Sequence, residues 1–256
     1  MKHIVLHEQT TAKVLHKAKA QQYHKKLVKE NTQLTIQDLK THEYVDELLI
    51  NAIAYLDTLQ DSFEQQGTKM REALRYLDPE TAHAHRDMDS LVTAVRNKGS
   101  ALGKSSALGG TIASTSKHYI LGMIPPLLQL KEEKNRVKTY LEHNTSRYLP
   151  NTTALIGPEL AARLVQLSGS RKKLAFLPSS SIQVLGASKA VFRHLREGSK
   201  SPKHGILFTH PLVKKTKDKG RVAKLLADKI AIAAKVDYFS GEYIGEQLKK
   251  EVEEQL

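Results

Sequence analysis

Lysine and arginine are the residues of this chain whose spacing carries chemistry. Between Lys189 and Lys235 there are thirteen Lys and Arg against three Asp and Glu, a net +10 of the chain's formal +13. Lys189, Arg193 and Arg196 lie four and three residues apart, as do Lys217, Arg221 and Lys224, so each set falls on one face of a helix. Lys200, Lys203 and His204 occupy the intervening SKSPKHG, which closes on Gly205, and Lys219 adds a cation to the second set. Charge of one sign repels itself and is tolerated best where a polyanion neutralises it. The chemistry allowed is phosphate neutralisation, with arginine making bidentate contacts and His204 able to hydrogen-bond or stack on a base. Phe192, Phe208 and Phe239 lie in apolar stretches, so the pattern points to recognition of shape and backbone more than of stacked single strands.

Other reactive constellations fail on spacing. Gly103-Lys104-Ser105 suggests a phosphate-binding loop, but GxxxxGK[ST] needs a glycine five residues earlier, where the chain has Lys98, and the preceding stretch reads as helix. His83, His85 and Asp87 have no further strong metal ligand at helical spacing. Ser114/Lys117 and Ser170/Lys173 fit S-x-x-K, a chance pattern in a chain rich in both residues, and no companion motif accompanies them. The absence of Cys excludes disulfides, thiolate nucleophiles, Cys zinc sites and iron–sulfur clusters. We therefore expect no catalytic residue, no cofactor and no metal. MKHIVLHEQTTAKV has no continuous apolar core of a signal peptide, and no run of ~18 apolar residues occurs elsewhere, so a soluble intracellular protein without a membrane partner is expected.

The elements that must hold the cations follow from the apolar pattern. An apolar content of 40% with 5% aromatics and no Trp predicts an all-α chain of long helices packed through Leu, Ile and Ala. Residues 1–40 form a short basic segment, with a thin helical stripe through Val14, Leu15, Ala18, Ala20, Tyr23 and Leu27. Residues 41–150 carry two heptad seams. The first runs through Val45, Leu49, Ala52, Leu56, Leu59, Phe63, Gln66, Met70, Ala73 and Leu77, with Gln66 as a polar register position, and stops at Asp78-Pro79. The second runs through Met123, Leu127, Leu130, Lys134, Val137 and Leu141. The two helices are expected to pair as an antiparallel coiled-coil hairpin, with GSALGKSSALGG at its tip. Exposed seams predict a homodimer through Leu49, Leu56, Leu59, Phe63, Met70, Leu127, Leu130, Val137 and Leu141. Residues 151–256 form a compact helical module, in which Val191, Phe192 and Leu195 are expected to face inward and Ile206 to Phe208 to form a buried extended run.

Three strings in this module also resemble the Nop domain family, as in the archaeal core protein of C/D box guide ribonucleoproteins and its nucleolar and spliceosomal relatives. They are LIGPELAARLVQLSGS (155–170), LPSSSIQVLGASKAVFRHLREGSKSPKHG (177–205) and LADKIAIAAKVDYFSGEY (226–243). DELLINAIAYLDTL and REALRYLDPE extend the likeness loosely into the coiled-coil segment. The resemblance implies a non-catalytic all-helical scaffold that docks on a kink-turn RNA together with its small bound protein. It then supports ribose 2′-O-methylation by the methyltransferase fibrillarin, in the cytoplasm, or in the nucleolus of a eukaryote. The family's contact positions fall on Lys189, Arg193, Lys203, His204, Gly205, Lys219, Arg221 and Lys224. About 40 residues precede the coiled coil where the family carries its fibrillarin-binding domain, so the N-terminal region reads as shortened. The competing reading from the residues alone is a general basic coiled-coil protein that binds nucleic acid or an anionic membrane through charge.

Overall fold

The computed structural model describes residues 21–41, 44–103 and 114–255, and every regular element in them is helical. The contacts divide the chain into two units, Met1–Val45 and Asp46–Leu256. In the first, helix α1 (Gln21–Thr41) keeps its described side chains exposed. Most of the stripe expected from Val14 to Leu27, and Lys104 to Gly110 of the expected hairpin tip, lie outside the described residues.

The second unit begins along α2 (Val45–Leu77), whose first turn carries Asp46 and Glu47 against the positive end of the helix dipole. α2 stops at Asp78, which caps α3 (Pro79–Ala84) by accepting a hydrogen bond from the Thr81 N–H at 3.0 Å. Asp78 is buried, and burial is the largest single influence on its carboxyl and opposes ionisation. The Thr81 N–H and hydroxyl and the Lys98 ammonium at 3.1 Å together outweigh it and lower the pKa. Lys98 ends α4 (Met88–Lys98), so one carboxylate ties three helix ends together. Helices α5 (Ser114–Gly122) and α6 (Ile124–Tyr148) follow. A shared groove sets Leu48 to Tyr55 beside Glu133 to Tyr140, and another sets Tyr55 to Gln66 beside Pro126 to Glu133. α2 and α6 therefore run in opposite directions.

Two features of this pairing differ from the sequence expectation. Past Phe63 the buried positions are Gly67, Met70, Leu74 and Leu77, and Gln66 is exposed. The phase shifts because Met88 of α4 fills the space over Gly67, where an added Cβ would lie 2.3 Å from its Sδ. The seam also closes within one chain. Leu49, Leu56, Leu59, Phe63, Met70, Leu127, Val137 and Leu141 are buried, and Leu130 packs half-buried at the edge of the same core. A dimer through these nine side chains is therefore corrected: the chain's own helices already cover them. Lys134, a charged residue in the second seam, is buried with its ammonium 4.3 Å from the centre of the Phe63 ring.

The remaining helices are short and punctuated by proline and glycine: α7 (Pro150–Ile156), α8 (Pro158–Ser168), α9 (Arg171–Phe176), α10 (Ser179–Val184), α11 (Ser188–Glu197), α12 (Pro211–Lys215), α13 (Lys219–Tyr238) and α14 (Gly245–Glu253). α13 is their spine. Its Ala223, Ala227, Ala233 and Ala234 are buried, and such small residues let α7, α9, α10 and α14 pack closely around it. Two arginine–aspartate pairs fasten this module to α2. Arg163 of α8 grips Asp57 with both terminal guanidinium nitrogens at 2.5 and 3.0 Å, and Arg171 of α9 meets Asp46 at 2.5 Å. The bonds to Asp57 raise the Arg163 pKa above its ordinary value against the opposing effect of burial.

The far end of α13 is fixed by Asp237. Its two oxygens accept from the backbone N–H and side chain of Asn151 and of Thr152, at 2.7 to 2.9 Å, while the Asn151 side-chain oxygen accepts from the Ile244 N–H at 2.6 Å. Asn151 and Thr152 are buried, so removing the carboxylate leaves four donors without a partner. Asp237→Ala is expected to cost about 3 kcal/mol, read as a lowered urea midpoint with unchanged slope; a loss below about 1 kcal/mol would show that water replaces the carboxylate.

Candidate nucleic-acid interface

The cationic face is assembled around Gln183 near the end of α10. Its side-chain amide donates to the Lys203 carbonyl at 2.7 Å and lies 3.4 Å from the Gly220 carbonyl, while its backbone carbonyl accepts from the Gly205 N–H at 2.8 Å. The Ile206 N–H adds a bond to the Leu185 carbonyl at 2.6 Å. One polar side chain thus pins the loop 198–205 and draws it to the start of α13. Close approach at two glycines makes this possible. A Cβ on Gly205 would lie 1.9 Å from the Leu185 carbonyl oxygen, and one on Gly220 would lie 3.3 Å from the Lys203 Cβ.

Asp218 caps α13 through the Arg221 N–H at 3.2 Å, so the helix begins between Lys217 and Arg221. Lys217 therefore stands in the connection before the helix, Arg221 and Lys224 project from it exposed, and Arg221 reaches the Gln255 carbonyl at 3.3 Å. Lys219 turns toward the loop, with its ammonium 4.9 Å from the Phe208 ring centre. His204 stacks on the other member of this group, its ring centre 4.9 Å from that of Phe208 at an interplanar angle of 22°. Lys203, His204, Gly205, Lys219 and Phe208 form one cluster. Phe208 belongs to a 3-10 turn, Ile206–Thr209, of which only Leu207 is buried, so the expected buried extended run is corrected. His210 follows, and burial lowers its pKa, aided by Lys249 and opposed by a backbone hydrogen bond with Leu155. It adds no charge to this face at neutral pH.

Lys189, Arg193, Arg196 and Lys200 occupy a different setting. The first three are exposed on α11 and Lys200 is exposed just beyond it. No residue of α11 is buried, and Phe192 and Leu195 are 59% and 78% exposed. The expectation that Val191, Phe192 and Leu195 face inward is corrected for Phe192 and Leu195: Val191 is half-buried, but the module leaves most of the helix's apolar side uncovered. Arg196 lies 5.9 Å from the Phe192 ring centre, which places a cation at the border of the two faces. α11 is held at its ends, by Gly198 in the left-handed region and by Gly186, whose absent side chain admits Ile206 and Leu167.

The sequence reading missed Gln183 and Phe208. Gln183 acts across 20 and 37 residues of chain, so no local signal marks it. Phe208 had a signal in its place between His204 and the Lys214–Lys224 cations. The rejected motifs have structural uses: Ser170 caps α9 through the Lys173 N–H, and the Lys117 ammonium donates to the Leu102 carbonyl at 2.8 Å. Lys104 and Ser105 lie outside the described residues. Among the described residues no group of three His, Asp or Glu could hold a metal ion, and no helix is long and apolar enough to cross a membrane.

The described residues thus form a helical module with a basic loop and an amphipathic helix whose apolar side is largely uncovered. The family model described as "Nop: snoRNA binding domain, fibrillarin" matches residues 41–256, and the chain belongs to this family. It is 35% identical to an uncharacterized NOP5 family protein of Methanocaldococcus jannaschii, over 91% of this chain and 63% of that protein. It is 33% identical to nucleolar protein 56 of Caenorhabditis elegans and 30% identical to that of Homo sapiens, each over 83% of this chain, and over 50% and 41% of those proteins. The chain thus spans between about four tenths and under two thirds of these relatives. A chain in the crystal structure of a fibrillarin/Nop5p complex has the same fold, with a TM-score of 0.51 and 24% identity over 94% of this chain and 83% of that one. Gly205→Ala is expected to destabilise the module by about 1–3 kcal/mol and to weaken RNA binding by about tenfold or more, since it pushes Lys203 and His204 off Gln183. Thermal melts and filter binding on the same variant check both; intact affinity would remove the loop from the interface.

Proposed function

We propose that this chain is a non-catalytic scaffold of a C/D box guide ribonucleoprotein. It binds kink-turn RNA together with the small protein already on that RNA and so supports guided ribose 2′-O-methylation by fibrillarin. The observation that carries the reading is a surface of two kinds side by side in the sequence. The Lys203–His204–Phe208–Lys219 cluster with Arg221 and Lys224 suits phosphates and a base, and α11 offers Phe192 and Leu195 to a protein along an edge of cations. An uncovered apolar helix face is not needed for binding a polyanion by charge, so it favours a composite partner over charge alone. Family membership supports RNA and fibrillarin as partners. The reading goes with a nucleolar location in a eukaryotic cell and a cytoplasmic one otherwise. The sequence divisions at 40 and 150 enter it as an N-terminal segment, a hairpin and the RNP-binding module.

Self-association belongs to the same proposal with its contact moved. The inner seam being filled, the surface offered is the outer groove of α2 and α6, flanked by exposed Leu48, Tyr55 and Tyr140. In sedimentation velocity we expect a dimer that Tyr55→Glu converts to monomer; a parent chain that stays monomeric at high concentration would remove the dimer.

The composite surface is tested by gel shift of a kink-turn RNA with and without its small cognate protein. The expected result is tighter binding with the protein present, weakened by Arg193→Ala and by Arg221→Ala with helicity intact. Loss of Arg221 should also lower the slope of log affinity against log salt by about 0.7 to 0.9 per phosphate contact removed. Equal affinity in both lanes would leave charge as the sole basis of binding.

A further inference from the structure

The opposite end of α13 carries a second group of rings that the cationic face does not use. α13 has 20 residues, so its two ends lie about 30 Å apart. At the far end Phe176 of α9, Tyr238 and Phe239 meet pairwise edge to face. Their ring centres are 6.3, 6.0 and 5.1 Å apart, with interplanar angles of 67°, 77° and 80°. Such contacts usually bury rings, yet Phe176 is 62% and Phe239 is 63% exposed. A large apolar residue held in a fixed cluster and left in water marks a contact surface.

The geometry of the rings and the charges beside them choose the partner. Three mutually perpendicular rings make no flat apolar floor for a protein helix; each presents a separate face, suited to one planar group at a time. An exposed lysine stands one helical turn before each outer ring, Lys172 before Phe176 and Lys235 before Phe239. Planar groups on rings with cations one turn away match unpaired bases and their phosphates. Glu242 is the exposed carboxylate of the turn that follows, and the neighbouring Asp237 is committed to Asn151 and Thr152.

The backbone holds the platform in place. The Phe239 N–H bonds the Lys235 carbonyl at 3.0 Å and the Gly241 N–H bonds the Val236 carbonyl at 2.9 Å, which closes α13 with Ser240 in the left-handed region at φ 53°. Left-handed backbone is costly for a residue other than glycine, and Asp237 pins the same turn to α7. Phe239 is therefore presented by a turn that Asp237 fastens, and Phe176 by the end of α9.

We infer that Phe176 and Phe239, with Lys172 and Lys235, form a stacking site for single-stranded RNA, separate from the loop and α13 start that face the kink-turn. The inference rests on the reading of the chain as an RNA-bound scaffold and adds a second place where unpaired nucleotides leaving the structured RNA are held.

The test uses the full chain and a fluorescent oligouridine with no kink-turn, in a Lys203→Ala/Lys219→Ala/Arg221→Ala background that silences the first face. Adding Phe176→Ala/Phe239→Ala should weaken binding about tenfold or more while circular dichroism keeps its helical signal. Because the chain has no Trp, Phe239→Trp supplies a single reporter whose emission should be quenched by saturating oligouridine. Affinity within about twofold after loss of both rings, an unquenched reporter, or capture of a protein segment with no change in oligouridine binding would each overturn the proposal. The ring variants should leave kink-turn assembly with the small protein intact. A kink-turn gel shift that fails while the reporter is still quenched would sink the first reading and not this one.

Discussion

Asp237 is the contact on which the placement of both ends of α13 depends. A carboxylate that satisfies two backbone N–H groups at the start of α7 does what an N-cap does, but from 86 and 85 residues away. That bond fixes where α13 ends relative to the helix that leaves the hairpin. Since α13 is rigid over its 20 residues, fixing its end also fixes the bearing of its beginning, where Asp218 sets the first turn and Gly220 admits the loop. The arginine pairs to Asp57 and Asp46 then orient the module on α2. Hydrophobic packing of Ala, Leu and Ile supplies the cohesion of this core; these few buried polar contacts choose one arrangement among the many such packing would accept.

Much of this was legible in the residues because it depended on local rules. Pro79, Gly169 and Gly198 end or begin helices where a rigid ring or a left-handed turn requires it. The spacing of Arg221 and Lys224 put them on one face, and the charge excess around Lys203 and His204 named the loop. What periodicity cannot say is what covers a face. Phe192 and Leu195 share a side of α11 as the pattern requires, yet the module buries neither of them. The heptad seam around Leu56 and Leu127 is the reverse case: it read as open, and the same chain fills it. Gln66 and Gly67 exchange roles because Met88, 21 residues after Gly67, happens to need the space.

The same distinction separates the cations that act together from those that share only a stretch of sequence. Gln183 ties the Lys203 carbonyl to that of Gly220 and so brings the loop to the start of α13, where the Lys219 ammonium reaches the Phe208 ring. Lys189 and Arg193 ride on a helix held at its ends, so their placement follows the helix and not the cluster. A polyanion alone would not need this difference, since the counterion-release term depends on how many phosphates are neutralised and little on which element carries the charge. It matters when two bodies are to be recognised at once.

An exposed apolar face on a short helix is a standing cost to the free chain, because water contacts more than half of Phe192 and of Leu195 and the face invites association with a complementary surface. The neighbouring Arg193 and Arg196 limit that liability by keeping like copies apart through repulsion. Under the proposed function, the RNA would cancel the repulsion and its small bound protein would cover the apolar side. Either partner alone removes only one of the two penalties, which is a physical basis for cooperative assembly without any change in the fold of the module.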